Sequence, residues 1–257
     1  MVLVVPPLLT VQQTVRQYVG VGRGVSACCR RDGVRTVVAM KVVIAGGHGK
    51  IALRLSRLIA ERHERPTGLI RKPEYEADLI AVGAHPVLFD LESGTAAELA
   101  THLKGADAVV FAAGAGPGSG AARKDTVDRG GAVLLADAAE LAGVRRYLMV
   151  SAMGAADGPT PDHDEVFAAY LTAKKAADHD LRSRDVDWTV LRPGALTDHS
   201  GTGKVRLAEH TGRGSVPRED VASVLLALLD APGTAGLSLD LVGGDTPIAD
   251  AVAAVAR

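Results

Sequence analysis

The stretch KVVIAGGHGKIALRL, residues 41–55, decides the fold of this chain. After Lys41, residues 42–45 form an apolar run of strand length. Apolar residues then recur at helical spacing, at Ile51, Leu55, Leu58 and Ile59. Three glycines stand between the two segments, where a tight turn is needed. The stretch therefore predicts a strand, a turn and a helix, which is the opening unit of an α/β domain.

The same alternation of apolar runs and helical stretches continues to the end of the chain. It predicts seven strands, at residues 41–45, 67–70, 85–89, 108–112, 146–150, 188–191 and 238–242. Several runs are nearly all apolar, which is typical of parallel strands covered by helices on both faces. We therefore predict a Rossmann-type, doubly wound parallel sheet of the α/β class, in one domain that spans residues 40–257.

The residues before this domain show no sustained hydrophobic period and no helix-capping pattern. We expect residues 1–39 to be an N-terminal extension that the fold does not need. Three explanations remain open: a start codon assigned too far upstream, a flexible leader, or a targeting segment of an unfamiliar kind.

Composition narrows the classes of partner. The 257 residues carry 29 basic and 30 acidic side chains, so no overall positive charge favours nucleic acid or an anionic membrane surface. No apolar run reaches the roughly 20 residues that span a bilayer. The two cysteines, Cys28 and Cys29, are adjacent and do not form a loop-closing disulfide or a zinc cluster. These features favour a cytoplasmic protein with a small-molecule substrate, and they leave open whether it is a monomer or a homodimer.

The glycine-rich turn has the strand before it and the helix after it that a dinucleotide-binding loop requires. The free N–H groups and the positive dipole end of the helix favour a diphosphate there. We expect cofactor contacts from Gly46, Gly47, His48, Gly49, Lys50 and Ile51. The alternative is a glycine-rich αβ turn without a ligand.

The second predicted strand ends in Arg71 and Lys72, where an NAD-binding protein usually presents an acid to the ribose hydroxyls. A guanidinium pairs instead with a 2′-phosphate, so Arg71 favours NADP as the cofactor, with NAD as the second choice. The alternative is a solvated basic turn. Further contacts are expected where the third and fourth strands end, from Asp90, Leu91, Ala112, Ala113 and Gly114. Asp90 is equally suited to bind the adenine amino group or to cap a turn.

Several motifs in order resemble the atypical short-chain dehydrogenase/reductase superfamily: AGGHGKIA (45–52), LIRKP (69–73), FDLES (89–93), VVFAAGAG (109–116), residues 127–155, YLTAKKAAD (170–178) and WTVLRPGALTD (188–198). The resemblance is strongest to small NAD(P)H-binding proteins of the NAD-dependent epimerase/dehydratase or NmrA-like type, a group that includes biliverdin reductase B. It spans residues 40–257 and implies the fold predicted above. Its functional implication is broader, because the group holds reductases, epimerases, dehydratases and non-catalytic sensors.

The resemblance implies that Tyr170 donates a proton to a carbonyl oxygen, that Lys174 lowers the phenol pKa and holds the nicotinamide ribose, and that Ser151 binds the same oxygen. Pro193 and Gly194, in RPGAL, would pass beside the nicotinamide. Other roles stay open, because Tyr170 could lie on a helix surface and Ser151 could cap a turn. The 19 residues between Ser151 and Tyr170 form a polar connection of unpredicted course. The His and Asp residues of PDHDE (161–165) predict a solvated loop and no metal site.

Three functions compete. The first is an NADP(H)-dependent oxidoreductase that transfers hydride to a small carbonyl, quinone or flavin-like compound. The second is a nucleotide-sugar epimerase or dehydratase, which we expect to need a larger C-terminal lobe than the roughly 65 residues after RPG. The third is an NADP(H)-sensing regulator, which requires the glycine loop and Arg71 but not Tyr170.

Overall fold

The computed structural model describes residues 39–116 and 118–257. The predicted N-terminal extension, residues 1–39, lies outside the described residues except for Ala39, and its boundary stays a prediction. Pro117, in the glycine-rich loop after the fourth strand, is also outside them. In the described ranges, no helix combines the length and the apolar character that a membrane span requires.

A nine-stranded sheet runs through the described part of the chain. Its strands are β1 (Lys41–Ala45), β2 (Arg65–Ile70), β3 (His85–Leu88), β4 (Ala108–Phe111), β5 (Arg146–Val150), β6 (Asp187–Pro193), β8 (Lys204–Ala208), β10 (Leu237–Gly243) and β11 (Thr246–Pro247). Their order across the sheet is β11-β8-β10-β6-β5-β4-β1-β2-β3. The seven strands from β3 to β10 are parallel, and β8 and β11 add an antiparallel edge. A separate parallel pair joins β7 (Ala195–Thr197) to β9 (Ser215–Pro217).

The predicted fold class is confirmed, and all seven predicted strands are present with ends within two residues of their observed positions. The prediction of seven strands is incomplete, because it lacks β7, β8, β9 and β11. These four strands have two to five residues each and lie at or beyond the edge of the parallel sheet. Three of them, with two or three residues each, are too short to show a hydrophobic period, and β8 alternates buried and exposed residues over only five residues.

Helices cover both faces of the sheet, as the apolar strands require. Val42 and Ile44 of β1 pack into one core layer, and Val43 and Ala45 pack into the other. The same division holds along β5 and gives each face an apolar layer. The helices are α1 (Lys50–Glu61), α2 (Glu76–Ala81), α3 (Ala96–Leu103), α4 (Ala121–Arg123), α5 (Gly131–Ala142), α6 (Glu165–Arg182), α7 (Arg218–Leu229) and α8 (Ile248–Val255).

A π-helical segment, Lys124–Gly130, connects α4 to α5 without a break in the helix. It follows the glycine-rich loop at the end of β4 and turns Lys124, Val127 and Asp128 inward. Wide turns of this kind occur mostly at functional sites, because the extra residue redirects side chains that a regular helix would point elsewhere. The segment therefore directs attention to the space beside β4.

Asp164 caps the N-terminus of helix α6, and its carboxylate accepts a hydrogen bond of 2.9 Å from the N–H of Phe167. Tyr170, Lys174 and Asp178 follow one another at intervals of four residues. Side chains at that spacing share one face of a helix. This face of α6 lies against the π-helical segment and the end of β5.

Candidate active site

Two clefts open at the carboxyl edge of the sheet. The first cleft has a volume of about 270 Å³ and lies beyond β1, β2, β3 and β4. It contains nine of the residues predicted to bind the cofactor: Gly46, His48, Gly49, Arg71, Asp90, Leu91, Ala112, Ala113 and Gly114. Ligands of open α/β sheets bind at this edge, so these predicted residues converge at the expected place.

The glycine loop is shaped by two close backbone approaches. Gly46 has φ +79°, and a Cβ atom there would lie 2.6 Å from the Cα of Ala113. A Cβ atom on Gly47 would lie 2.7 Å from the Cα of Gly68 on the neighbouring strand. Neither position accepts a side chain without moving the backbone. Helix α1 then begins at Gly49 without a side-chain cap, which leaves the first N–H groups of the helix available to an anion.

The other predicted loop residues do not line the first cleft. Gly47 is buried against β2, and its N–H donates to the carbonyl of Leu69 over 2.9 Å. The Ile51 side chain belongs to the core. The Lys50 ammonium lies 2.6 Å from Oδ2 of Asp198. For these three residues, contact with a ligand in this cleft is therefore limited to main-chain groups.

Some of the charged side chains that line the first cleft form an ion pair with each other, and Arg71 does not. Arg123 donates to Glu92 over 2.6 Å, and this hydrogen bond lowers the pKa of the Glu92 carboxyl. Arg71 is exposed, lines the cleft and forms no ion pair with any described residue. Asp90, the other expected contact, accepts a 3.0 Å hydrogen bond from the N–H of Glu92 and so caps a turn while it lines the cleft.

His48 in the glycine loop is fixed by two neighbours. Its ring stacks on Tyr75 with a centroid distance of 3.8 Å and an interplanar angle of 2°. Its Nε2 atom lies 2.7 Å from Oδ2 of Asp78. Tyr75 also lines the first cleft, although its position in a short 3₁₀ turn gave no sequence signal for this contact.

The second cleft has a volume of about 690 Å³ and lies beyond β5 and β6. Ser151, Tyr170, Pro193 and Gly194, four of the predicted site residues, line it. Ser151 follows β5 directly, and Tyr170 reaches the same space from α6. The polar connection between them, of unpredicted course, supplies part of the wall through Met153, Gly154, Asp157, Gly158, Thr160 and His163.

Two ammonium groups flank the ring of Tyr170. The Lys124 Nζ atom lies 5.4 Å from the ring centroid, and the Lys174 Nζ atom lies 5.8 Å from it. Burial raises the pKa of the Tyr170 phenol, and the charge of Lys174 opposes that rise. At neutral pH the phenol therefore keeps its proton, and the charge of Lys174 favours the phenolate that remains when the proton leaves.

Lys174 does not line either cleft. Its ammonium lies 3.1 Å from Oδ1 of Asp128 and donates to the carbonyl of Val150 over 3.2 Å. Both charged side chains are almost completely buried, at 4% and 1% exposure. The ribose contact expected for Lys174 therefore stays a prediction, because the ammonium is buried and two protein groups already hold it.

Sequence reasoning missed Asp128 and Lys124, the two polar side chains that face inward from the π-helical segment. Asp128 accepts a 3.1 Å hydrogen bond from the N–H of Ala115, and Lys124 donates to the carbonyl of Gly116 over 2.9 Å. Both therefore join the loop after β4 to the surroundings of Tyr170. The available signal was a pair of charged residues at i and i+4 just before a strongly apolar helix. Charged residues at the same spacing are ordinary on a surface helix, so this pair did not stand out in the sequence.

A second buried ion pair lies behind Ser151. Arg192 donates to Oδ2 of Asp178 over 2.9 Å, and both side chains are buried. Burial raises the pKa of the Asp178 carboxyl, while the Ser151 hydroxyl and the Arg192 guanidinium oppose that effect. Arg192 is the first residue of the RPGAL motif, so this pair fixes the start of the turn that carries Pro193 and Gly194.

Among the described residues, no group of three or more His, Cys, Asp and Glu side chains is arranged to hold a metal ion. His163 of the PDHDE segment is used locally, because its Nδ1 atom accepts a 3.1 Å hydrogen bond from the N–H of Thr160. Its ring also meets Phe167 edge to face, with a centroid distance of 4.8 Å.

This chain is similar to several known proteins over most of its length. The uncharacterized sugar epimerase YhfK of Bacillus subtilis is 39% identical over 83% of this chain and 99% of its own length. A solved structure from Bacillus halodurans, assigned as an NAD-dependent epimerase/dehydratase, is 35% identical with a TM-score of 0.78, and the match covers 84% of this chain and all of that one. The oxidoreductase YlbE from Lactococcus lactis is 26% identical with a TM-score of 0.73, over 84% of this chain and 96% of that one.

The match to a family covers both clefts. Residues 46–232, from the glycine loop to the end of α7, match the family described as NAD(P)H-binding. The match includes Arg71, Asp128, Tyr170 and Lys174. This chain belongs to the NAD(P)H-binding family of epimerase-like and reductase-like Rossmann proteins.

Proposed function

We propose that the protein is an NADP(H)-dependent oxidoreductase that transfers hydride to a small carbonyl, quinone or flavin-like compound. One observation carries the proposal: a phenol flanked by two ammonium groups lines a large cleft beside the nucleotide cleft. A phenol in that setting is suited to give a proton to an oxygen atom. Because the chain belongs to the NAD(P)H-binding family, the reduced nicotinamide cofactor is the proposed electron donor.

The proposed position of the cofactor uses both clefts. The diphosphate would lie on the glycine loop, with Gly46 and Gly49 against it and the start of α1 directed at it. The adenosine end would lie near Asp90 and Leu91, and the nicotinamide end would reach Pro193 and Gly194 in the second cleft.

Arg71 supports NADP over NAD. Its guanidinium lines the first cleft and forms no ion pair with a described side chain, whereas its neighbour Lys72 lies 3.0 Å from Glu74. A free guanidinium at the end of β2 pairs well with a 2′-phosphate. No acid stands at that position to bind the two ribose hydroxyls of NAD.

The proposed chemistry needs few protein groups. NADPH, when bound, would supply a hydride to the carbonyl carbon of the substrate. The Tyr170 hydroxyl donates its proton to the carbonyl oxygen, and the Ser151 hydroxyl donates a hydrogen bond to the same oxygen. Lys174 and Lys124 stabilise the phenolate of Tyr170, and a ribose contact by Lys174 requires its ammonium to become accessible, because it lines neither cleft.

Two other functions have an observation in their favour. A non-catalytic NADP(H) sensor agrees with the raised pKa of Tyr170 and with the neutralisation of Lys174 by Asp128. A sugar epimerase agrees with the name of the Bacillus subtilis relative. An epimerase returns the hydride to its substrate, so it would consume no cofactor overall. We propose a cytoplasmic location for each of these functions.

The deciding experiment is NADPH oxidation by the full chain across quinones, flavins and aldehydes, with Tyr170→Phe beside it. We expect turnover of at least one class, and a loss of about 100-fold or more in kcat for Tyr170→Phe, with the Kd for NADPH unchanged. Thr172→Val, an exposed change on the same helix, is the matched control. NADPH binding without turnover would leave the sensor, and interconversion of sugar epimers without net oxidation would establish the epimerase.

A further inference from the structure

We infer that the second cleft binds an apolar carbonyl compound that carries a negatively charged group, a carboxylate or a phosphate, and that Arg213 recognises this group. The inference rests on the proposed function and deepens it by naming the substrate class. It follows from the apolar walls of the cleft, from its charge and from the position of Arg213.

The walls of the second cleft present apolar surface to solvent. Phe167 and Leu196 are 41% and 38% exposed, and both line this cleft from opposite elements, α6 and β7. Met153 and Leu171 line the same space. Single exposed apolar side chains are ordinary, whereas several around one concave site suit an apolar ligand.

The charged groups around the cleft leave positive charge in excess. Arg218 donates to Asp198 over 2.9 Å, and the same carboxylate also holds Lys50. Arg213 forms no ion pair within the described ranges. Asp157 is the one carboxylate among the described residues that line the cleft. The three cations are Arg213, Arg218 and Lys50. The two carboxylates are Asp198 and Asp157, so one positive charge is left without a counter-charge.

Arg213 has a fixed main chain at the cleft wall. The carbonyl of the next residue, Gly214, accepts a 2.9 Å hydrogen bond from the N–H of Ala195 in the RPGAL turn. The Arg213 side chain therefore leaves the main chain beside the position proposed for the nicotinamide, on an exposed stretch of chain. A ligand anion bound to it would hold the carbonyl group deeper in the cleft, toward Tyr170 and Ser151.

His163 is a further hydrogen-bond donor among the residues that line the cleft. Since the Nδ1 atom of His163 accepts from the N–H of Thr160, a neutral ring carries its proton on Nε2. The cleft thus offers donors from Arg213, His163, Tyr170 and Ser151. The anion is unchanged by the reaction: hydride adds to the carbonyl carbon, the Tyr170 proton adds to the oxygen, and the products are an alcohol and NADP⁺.

The test uses three aldehydes of similar shape: 4-carboxybenzaldehyde, 4-formylphenyl phosphate and the neutral methyl 4-formylbenzoate. Their Kd values are measured by calorimetry on the full chain saturated with NADP⁺, so turnover is not required. We expect at least one anionic aldehyde to bind about tenfold more tightly than the ester, and the tighter anion identifies the group that the site prefers. Arg213→Gln should remove this advantage and leave the ester unchanged.

Arg206→Gln is the matched control, because Arg206 is exposed on β8 and lines neither cleft. Equal binding of the ester and both anions would overturn the inference, as would an Arg213→Gln protein that keeps the preference. A weaker Kd for NADP⁺ in Arg213→Gln would make Arg213 a cofactor ligand and also overturn it. Failure of all three aldehydes to bind the NADP⁺ complex would overturn the substrate class alone, whereas failure of NADP⁺ itself to bind would overturn the proposed function.

Discussion

The Lys174 ammonium and the Asp128 carboxylate form a buried ion pair, with 3.1 Å between Nζ and Oδ1. The pair joins α6 to the π-helical segment, and Asp128 extends it to the N–H of Ala115 in the loop after β4. The residue that supports Tyr170 is therefore tied to the loop that lines the nucleotide cleft.

Asp128→Asn should lower the free energy of unfolding by about 3–5 kcal/mol, because it leaves the Lys174 ammonium buried without a counter-charge. Chemical denaturation measures the change. The double variant Asp128→Asn with Lys174→Met should recover a large part of the loss, since the uncompensated charge is gone. Asp125→Asn, which breaks an exposed pair with Arg129 on the same segment, should cost less than about 1 kcal/mol. Equal costs for the two single variants would contradict the assigned importance of the buried pair.

Arg71→Glu should weaken NADPH binding by at least about tenfold and leave NADH binding unchanged, because the lost contact is to the 2′-phosphate. Fluorescence titration with each nucleotide measures the two Kd values. Arg206→Glu makes the same charge change at an exposed site outside both clefts, and it should alter neither Kd by more than about twofold. A parallel loss of NADH binding in Arg71→Glu would point to a general role in the cleft.

Gly47→Ala should destabilise the fold and weaken binding of both nucleotides, because its Cβ atom would lie 2.7 Å from the Cα of Gly68. Forcing β1 and β2 apart costs about 1–3 kcal/mol and moves the diphosphate loop. Gly130→Ala is the control within a helix, where the added Cβ meets its nearest neighbour at 3.6 Å. That change should be neutral or stabilising by up to about 1 kcal/mol. Thermal unfolding and nucleotide titration check both variants, and an unaffected Gly47→Ala protein would show that the loop tolerates a wider spacing.

The pH dependence of reduction should follow the Tyr170 phenol, whose pKa is raised by burial. The protonated form donates, so kcat/KM should stay level through neutral pH and fall only above the ordinary tyrosine pKa of about 10. Lys124→Met should raise the phenol pKa further, because it removes the ammonium 5.4 Å from the ring. Phenolate absorbance, taken as a difference from Tyr170→Phe, measures this shift without turnover.

Lys175→Met is the control for that titration, because Lys175 is exposed on the same helix and its ammonium donates to the carbonyl of Asp157. It should leave the phenol titration where it is. A Lys124→Met protein with an unchanged Tyr170 titration would remove Lys124 from the proton-transfer site. Lys124 would then only hold the loop after β4, through its hydrogen bond to the carbonyl of Gly116.

The sequence by itself determined the parallel sheet and the glycine loop. The central strands β1, β4 and β5 could be predicted because each contains an apolar run of four residues that is buried on both faces, and Gly46 and Gly47 could be predicted because the turn between strand and helix leaves no room for a Cβ atom. These features depend on residues close together in the chain. The edge strands β7, β8, β9 and β11 escaped prediction, because their pairing depends on neighbours elsewhere in the fold.

Only the tertiary structure decided how the lysines are used. The spacing of Tyr170 and Lys174 indicated that they share a helix face, but the partner of Lys174 is Asp128, which lies on another element. Lys124 and Arg213 carried no motif, and their places beside the second cleft follow from the π-helical turn and from the hydrogen bond between Gly214 and Ala195. A charged side chain interacts most strongly with the groups within a few ångströms of it. Packing between elements decides which groups lie that close, and order along the chain does not.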